Sequence, residues 1–273
     1  MSRRIVAATV AFAATTVALG FLVLPIVAGF ARVSPAHLVE QLNDGVVTDA
    51  LVVTLKTTAV AQSLVLLLGT PTAYVLARRF AGREALVTLV ELPLVLPPAV
   101  AGIGLIAAFG RFGLLGEQLN AFGIQLGLTQ AAVVIAVAYV SSPLYIRQAI
   151  ATFEAIDPNL VAASRTLGAG PARTFFRVVL PLSRPGLAAG EALAFARGLG
   201  EFGATIMFAG SLQGVTQTLP LAIYQEFNSD FTTALAMSAL LVVVSGALLV
   251  ALRLTLQWQP SKPTSRFLFA PSR

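Results

Sequence analysis

Residues 160–181 read LVAASRTLGAGPARTFFRVVLP, a small-residue, glycine-centred stretch that carries three arginines and closes on Leu-Pro. It forms a polar island between two long apolar segments. Asp157-Pro158 just before it is a helix start, with aspartate as N-cap and proline at the first helical position. The spacing predicts a helix over 159–167 that stops at Gly168, where glycine tolerates a left-handed C-cap. Leu160, Ala163 and Leu167 fall at i, i+3 and i+7 and share one face. A second start at Gly170-Pro171 leads through Phe175, Phe176, Val178, Val179 and Leu180, and is expected to end at Pro181. The island thus reads as two short helices joined by a glycine-rich elbow. The small side chains of Ala162, Ala163 and Ser164 let another protein approach closely. From pattern alone, a re-entrant or amphipathic surface linker fits as well.

Across the whole chain, 57% of the 273 residues are hydrophobic and 11% are charged. Soluble domains carry about 25% charged residues, so the chain reads as an integral membrane protein with no room for a sizeable soluble domain. Its net charge of +6 then sets topology rather than binding nucleic acid. The absence of cysteine excludes disulfides and thiolate metal sites. The single histidine, His37, stands in a polar loop, and a metal site needs several ligands.

Apolar runs of roughly the 20 residues needed to cross a bilayer occur at 5–30, 51–77, 85–109, 129–146, 186–209 and 232–251. The first is too long for the core of a signal peptide and is expected to be retained. Alternating from a cytoplasmic N-terminus, the inner segments hold Arg3, Arg4, Arg78, Arg79, Arg83, Arg147, the arginines of the island, Arg184 and all basic residues from Arg253 onward. The outer loops hold only Arg32 and Arg111. This bias places both termini inside, and six spans satisfy it where five do not. The reading is one transmembrane domain over 1–256, with an inner loop at 147–185 and a short cytoplasmic tail over 257–273. No internal repeat of the kind found in secondary transporters is visible. Six unmatched spans suit one half of a two-fold dimer.

The fifth run contains Glu191, Arg197 and Glu201. A charge at the centre of a span costs about 2.5–3.5 kcal/mol on the insertion scale, so these groups should face protein or water. Arg197 and Glu201 are i, i+4 neighbours able to pair; Glu191 lies off that face. The pair either locks helix packing or lines a translocation path, together with Gly200, Gly203 and Thr205. Gly198, Gly200 and Gly203 permit close helix approach in both cases. Lys56, in the second run, either snorkels outward or lines the path. Pro93, Pro97, Pro98, Gly102 and Gly104 interrupt the third run and predict a break there.

The island resembles the cytoplasmic motif of ABC importer permeases: Glu-Ala-Ala, three residues, Gly, nine residues, Ile-x-Leu-Pro. Here Ala162-Ala163-Ser164 is followed by three residues, Gly168, nine residues, then Val178-Val179-Leu180-Pro181. Ala162 replaces the glutamate and Ser164 the second alanine. Further along, LAFARGLGEFGATIMFAG (193–210), QTLP (217–220), LPLVLPP (92–98) and FGRFGLLG (109–116) are similar to molybdate permeases. The Ala-Arg-x-x-Gly-Glu piece is shared with sulfate and thiosulfate permeases.

The resemblance implies an all-α integral membrane protein of about six transmembrane helices with the type I ABC importer permease fold. It implies a coupling helix docked on a cytoplasmic ABC ATPase through Leu160, Ala162, Ala163, Ser164, Leu167, Gly168, Ala169, Leu180 and Pro181. Without the motif glutamate, that contact is expected to rest on packing. Further implied partners are an extracytoplasmic molybdate-binding protein, a second copy of the chain and membrane lipid. No cofactor is expected on this chain, since ATP and Mg are used by the partner; the sequence has no Gly-x4-Gly-Lys-Ser/Thr loop. The implied function is inward transport of molybdate across the cytoplasmic membrane by a non-enzymatic subunit. Tungstate and sulfate or thiosulfate are the alternatives within the class, and an ion-coupled secondary transporter is the alternative outside it.

Overall fold

The computed structural model describes residues 2–34, 36, 40 and 44–257, and among these residues there is no strand. His37 and the tail over 258–273 lie outside the described residues. The long helices are α1 (Ser2–Ala31), α2 (Gly45–Leu76), α6 (Gln130–Glu154), α9 (Leu180–Leu199) and α12 (Phe231–Gln257). Between them lie α3 (Arg83–Val95), α4 (Pro98–Phe109), α5 (Gly116–Ala121), α7 (Pro158–Thr166), α8 (Pro171–Thr174), α10 (Gly203–Ala209) and α11 (Leu219–Phe227).

Among the described residues, four helices are long and apolar enough to cross a membrane: α1, α2, α6 and α12. The α3–α4 pair makes a fifth if taken as one span, bent by 116°. The bend falls at Leu96-Pro97, where a proline disfavours helical geometry in the residue before it and Leu96 is extended (φ −69°, ψ 133°). The fifth expected span, 186–209, is split into α9 and α10, and with Arg184, Glu191 and Arg197 in one helix it falls short of an apolar span. At 32 residues, α2 is about 48 Å long, well beyond a hydrocarbon core of about 30 Å. Asp44 starts it by accepting a 2.7 Å hydrogen bond from Val46 N.

Helix α6 is the centre of the bundle, packed against α2, α9, α10 and α3. Along α9, Gly186, Gly190, Ala194 and Gly198 recur every four residues and form one stripe. A Cβ on Gly186 would strike Thr152, one on Gly190 would lie 3.0 Å from Gln148 Cβ, and one on Gly198 would lie 3.0 Å from Val137 and 2.8 Å from Gln62. As the α9 numbers rise the α6 numbers fall, so the two helices run antiparallel at close range. Small residues at such a seam let backbones approach, which drives helix association in lipid. By contrast, α1 has no buried residue between Ala7 and Ala31 and packs mainly on α12.

Two expectations about the island change. Helix α6 continues to Glu154, so the loop at 147–185 contains helix at both ends. Nor does helix end at Pro181. The chain is helical from Pro171 through Leu199, with a π-helical turn over Phe175–Val179 that hands directly into α9. Proline has no N–H and its ring crowds the carbonyl four residues back. The helix widens by one residue ahead of it, so Leu180 N bonds Phe175 O; single π turns of this kind accommodate such a misfit without a break.

Candidate functional site

The docking elbow is built as its sequence dictates. Asp157 Oδ1 accepts from Asn159 N at 2.9 Å, which caps α7. Gly168 takes φ +80°, and the turn closes through Gly168 N to Arg165 O (2.9 Å) and Ala169 N to Ser164 O (3.1 Å). Ser164 and Thr174 hydroxyls meet at 3.1 Å and tie α7 to α8.

No residue of α7 is buried, and even its leucine face is open: Leu160 is 46% and Leu167, just past the helix end, 88% exposed. Leu160, Ala163, Ser164, Leu167, Ala169 and Pro181 line one groove of about 650 Å³, rimmed by Arg173 and Arg177. Six of the nine residues named from the motif thus converge on one open apolar surface. Gly168 supplies the turn beneath it. Ala162 is exposed away from the groove, and Leu180 points inward, packed on the core formed by Tyr145, Ala149, Phe153 and Leu187.

At the opposite end of α9 lies the charged seam. Glu201 is 2% exposed, with Oε2 2.7 Å from Arg197 Nη1 and Oε1 accepting from Ala204 N at 2.8 Å. The carboxylate therefore pairs with Arg197 in the last turn of α9 and satisfies a free N–H at the start of α10. The break between them at Gly200 is open, with no atom within 4 Å of where a Cβ would sit. Gly203 is the reverse case: its Cβ would lie 2.6 Å from Pro98 Cβ, while one on Gly102 would lie 2.6 Å from Met207 Cβ. These two glycines let α4 and α10 interlock. Thr205 is fully buried, and its hydroxyl has no hydrogen-bond partner among the described residues.

A polar face of α2, missed in the sequence, runs beside this seam. Thr54, Thr57, Thr58 and Gln62 are all buried, at i, i+3, i+4 and i+8. Gln62 Nε2 donates to Ser141 Oγ and Ala194 O, both at 3.2 Å, and so joins α2, α6 and α9. Thr54 Oγ1 accepts from Leu219 N at 2.7 Å and seats the start of α11. The signal was present as helical periodicity among polar residues of an apolar run. Lys56 is not on this face; it is exposed beside Val52 and Val60. Among the described residues no cluster of His, Cys, Asp or Glu could hold a metal.

The bundle thus combines a span broken at a proline, an open elbow between α6 and α9 and a paired charge in its core. The chain belongs to the family of binding-protein-dependent transport system inner membrane components, which matches residues 66–257. It is 47% identical over 229 residues to the molybdenum transport system permease protein ModB of Mycobacterium tuberculosis (strain ATCC 25618 / H37Rv), covering 82% of this chain and 86% of that one. It is 38% identical over 231 residues to the sulfate transport system permease protein CysT of Escherichia coli (strain K12), covering 83% and 82%. In fold it matches a bacterial alginate ABC transporter, solved in complex with an alginate pentasaccharide-bound periplasmic protein, with a TM-score of 0.70 at 14% identity over 93% of each chain. The fold is that of type I ABC importer permeases.

Proposed function

We propose that the chain is the membrane permease of a molybdate importer, driven by separate ABC ATPase subunits and supplied by an extracytoplasmic binding protein. It works as a homodimer with both termini in the cytoplasm. The observation that carries this reading is the open apolar groove of the elbow, at the spacing of the permease motif, in a chain 47% identical to a molybdenum permease. ATPase closure would press on α7. The elbow continues into α6 on one side and, through the π turn, into α9 on the other, so both helices would move with it. The far end of α9 carries Arg197 and Glu201, whose charges cancel. A lone carboxylate there would repel a dianion such as molybdate; a neutralised pair does not.

Molybdate is favoured over sulfate because identity to the molybdenum permease exceeds that to the sulfate permease. The test is molybdenum accumulation in a permease-deletion strain with and without this chain, with tungstate and sulfate as competitors. Restored accumulation that tungstate suppresses and sulfate does not is the expected result. Restored sulfate uptake without molybdenum accumulation would move the chain to the sulfate class.

A further inference from the structure

The elbow is fastened to one helix at both its entrance and its exit. At the entrance, Arg83 makes three contacts at once. Its Nε donates to Leu76 O at 2.6 Å, its Nη1 to Glu84 at 2.6 Å, and its Nη2 pairs with Glu154. Leu76 is the last residue of α2 and Glu154 the last of α6, one short turn before α7 begins at Pro158. A carboxylate at a helix C-terminus opposes the macrodipole, whereas a guanidinium there satisfies free carbonyls. Glu154 is therefore misplaced for its own helix and well placed for Arg83. The contact spans a cleft of about 850 Å³ walled by Ala77, Phe80, Gly82, Glu154 and Pro158. At that level the guanidinium adds a polar, directional link to the apolar packing of Leu76 and Ala77 with Phe153 and Ile156. At the exit, Phe175 in the π turn stacks 4.7 Å from Tyr74 of α2 and 6.4 Å from Phe153 of α6.

We propose that Arg83 is a positioning residue for coupling: with Glu154 it ties the entrance of the docking elbow to the end of α2, so that force on α7 enters α2 directly. This rests on the transport reading above. At its other end α2 holds the start of α11 through Thr54 and, midway, the α9 seam through Gln62. One continuous helix then links the docking end to the polar core. Lysine cannot replace Arg83, because three nitrogens pointing in different directions reach three acceptors, and an ammonium is a single point charge.

The experiment uses the full complex of permease, ATPase and binding protein in proteoliposomes and reads molybdate imported per ATP hydrolysed. Arg83→Gln and Glu154→Gln should each lower that ratio about tenfold, within the usual range for coupling between sites, while ATP hydrolysis persists. Arg83→Lys, which keeps the charge but not the fork, should lower the ratio too, and Glu117→Gln, at an exposed position of α5, should leave it unchanged. If Arg83→Gln fails to assemble, Glu154→Gln carries the test. Variants that keep the wild-type ratio overturn the proposal, as does an Arg83→Lys variant that couples as well as the wild type. A wild-type complex inactive on molybdate counts against the functional reading instead, and the same variants are then read on the anion it does import.

Discussion

Replacing Arg197 by alanine strands Glu201. The Glu201 side chain is 1% exposed and its Oε2 faces Arg197 Nη1 at 2.7 Å, leaving only the Ala204 N bond to Oε1 after the change. Breaking a buried ion pair from one side costs about 3–5 kcal/mol. The Arg197 side chain is 33% exposed, so water screens part of the interaction; we take about 2–3 kcal/mol. At about 2–4 °C per kcal/mol for a chain of this size, thermal unfolding in detergent should fall by about 4–12 °C. Glu201→Gln keeps the shape and the Ala204 bond and frees a cation that reaches water, so it should cost about 1 kcal/mol. The double variant Arg197→Ala with Glu201→Gln has no stranded charge and should be more stable than Arg197→Ala alone, a non-additivity expected of groups in contact. Unchanged unfolding of Arg197→Ala, or no recovery in the double variant, would mean that the ion pair does not hold the seam. Molybdate uptake by Arg197→Ala should also fall; normal uptake at normal expression would remove the pair from the transport path.

Three further outcomes come from the packing of single residues. Gly102→Ala puts a methyl 2.6 Å from Met207 Cβ and 2.9 Å from Ala204 O, against ordinary contacts of about 3.5–4.0 Å. It should destabilise by about 1–3 kcal/mol in the same unfolding assay, whereas Gly104→Ala, with open space around it, should be silent. Gly168→Ala forces a side chain into φ +80° at a cost of about 1–2 kcal/mol, and should reduce uptake several-fold with the bundle still folded by thermal unfolding. Leu167→Asp should leave the chain's own stability within about 0.5 kcal/mol, because it alters an exposed position. It should also weaken ATPase binding by about tenfold or more, since a buried leucine contributes about 1.5–3 kcal/mol, as titration of solubilised permease with the ATPase will read.

What could be read from the chain in advance was local. The cap at Asp157 and the stop at Gly168 each depend on one or two residues, and the structure places both as expected; the third run also breaks, but only at Leu96-Pro97, while Pro93, Gly102 and Gly104 lie inside helices. The pairing of Arg197 with Glu201 needed only a four-residue helical offset. Features that depend on a second helix stayed hidden. The stripe Gly186, Gly190, Ala194 and Gly198 has a visible period of four, but only α6 lying against it gives that period meaning. The bracket from Arg83 to Glu154 joins residues far apart in the sequence, and in the sequence Arg83 is merely one more basic residue of an inner loop. Pro181 misleads for a different reason: proline ahead of a helix normally marks a boundary, yet a π turn absorbs it. Lys56 shows the limit of hydropathy, since its run is apolar on one face and polar on the other, and the lysine lies on the exposed side.

ATP-driven molybdate import through this chain, by way of its elbow, can be measured in proteoliposomes containing the permease and its ATPase, with binding protein added outside and ATP sealed within. Uptake should need ATP, ATPase and binding protein together, and Leu167→Asp should lower it in step with its weaker ATPase binding. Uptake by the permease alone under an ion gradient would contradict ATP-driven import.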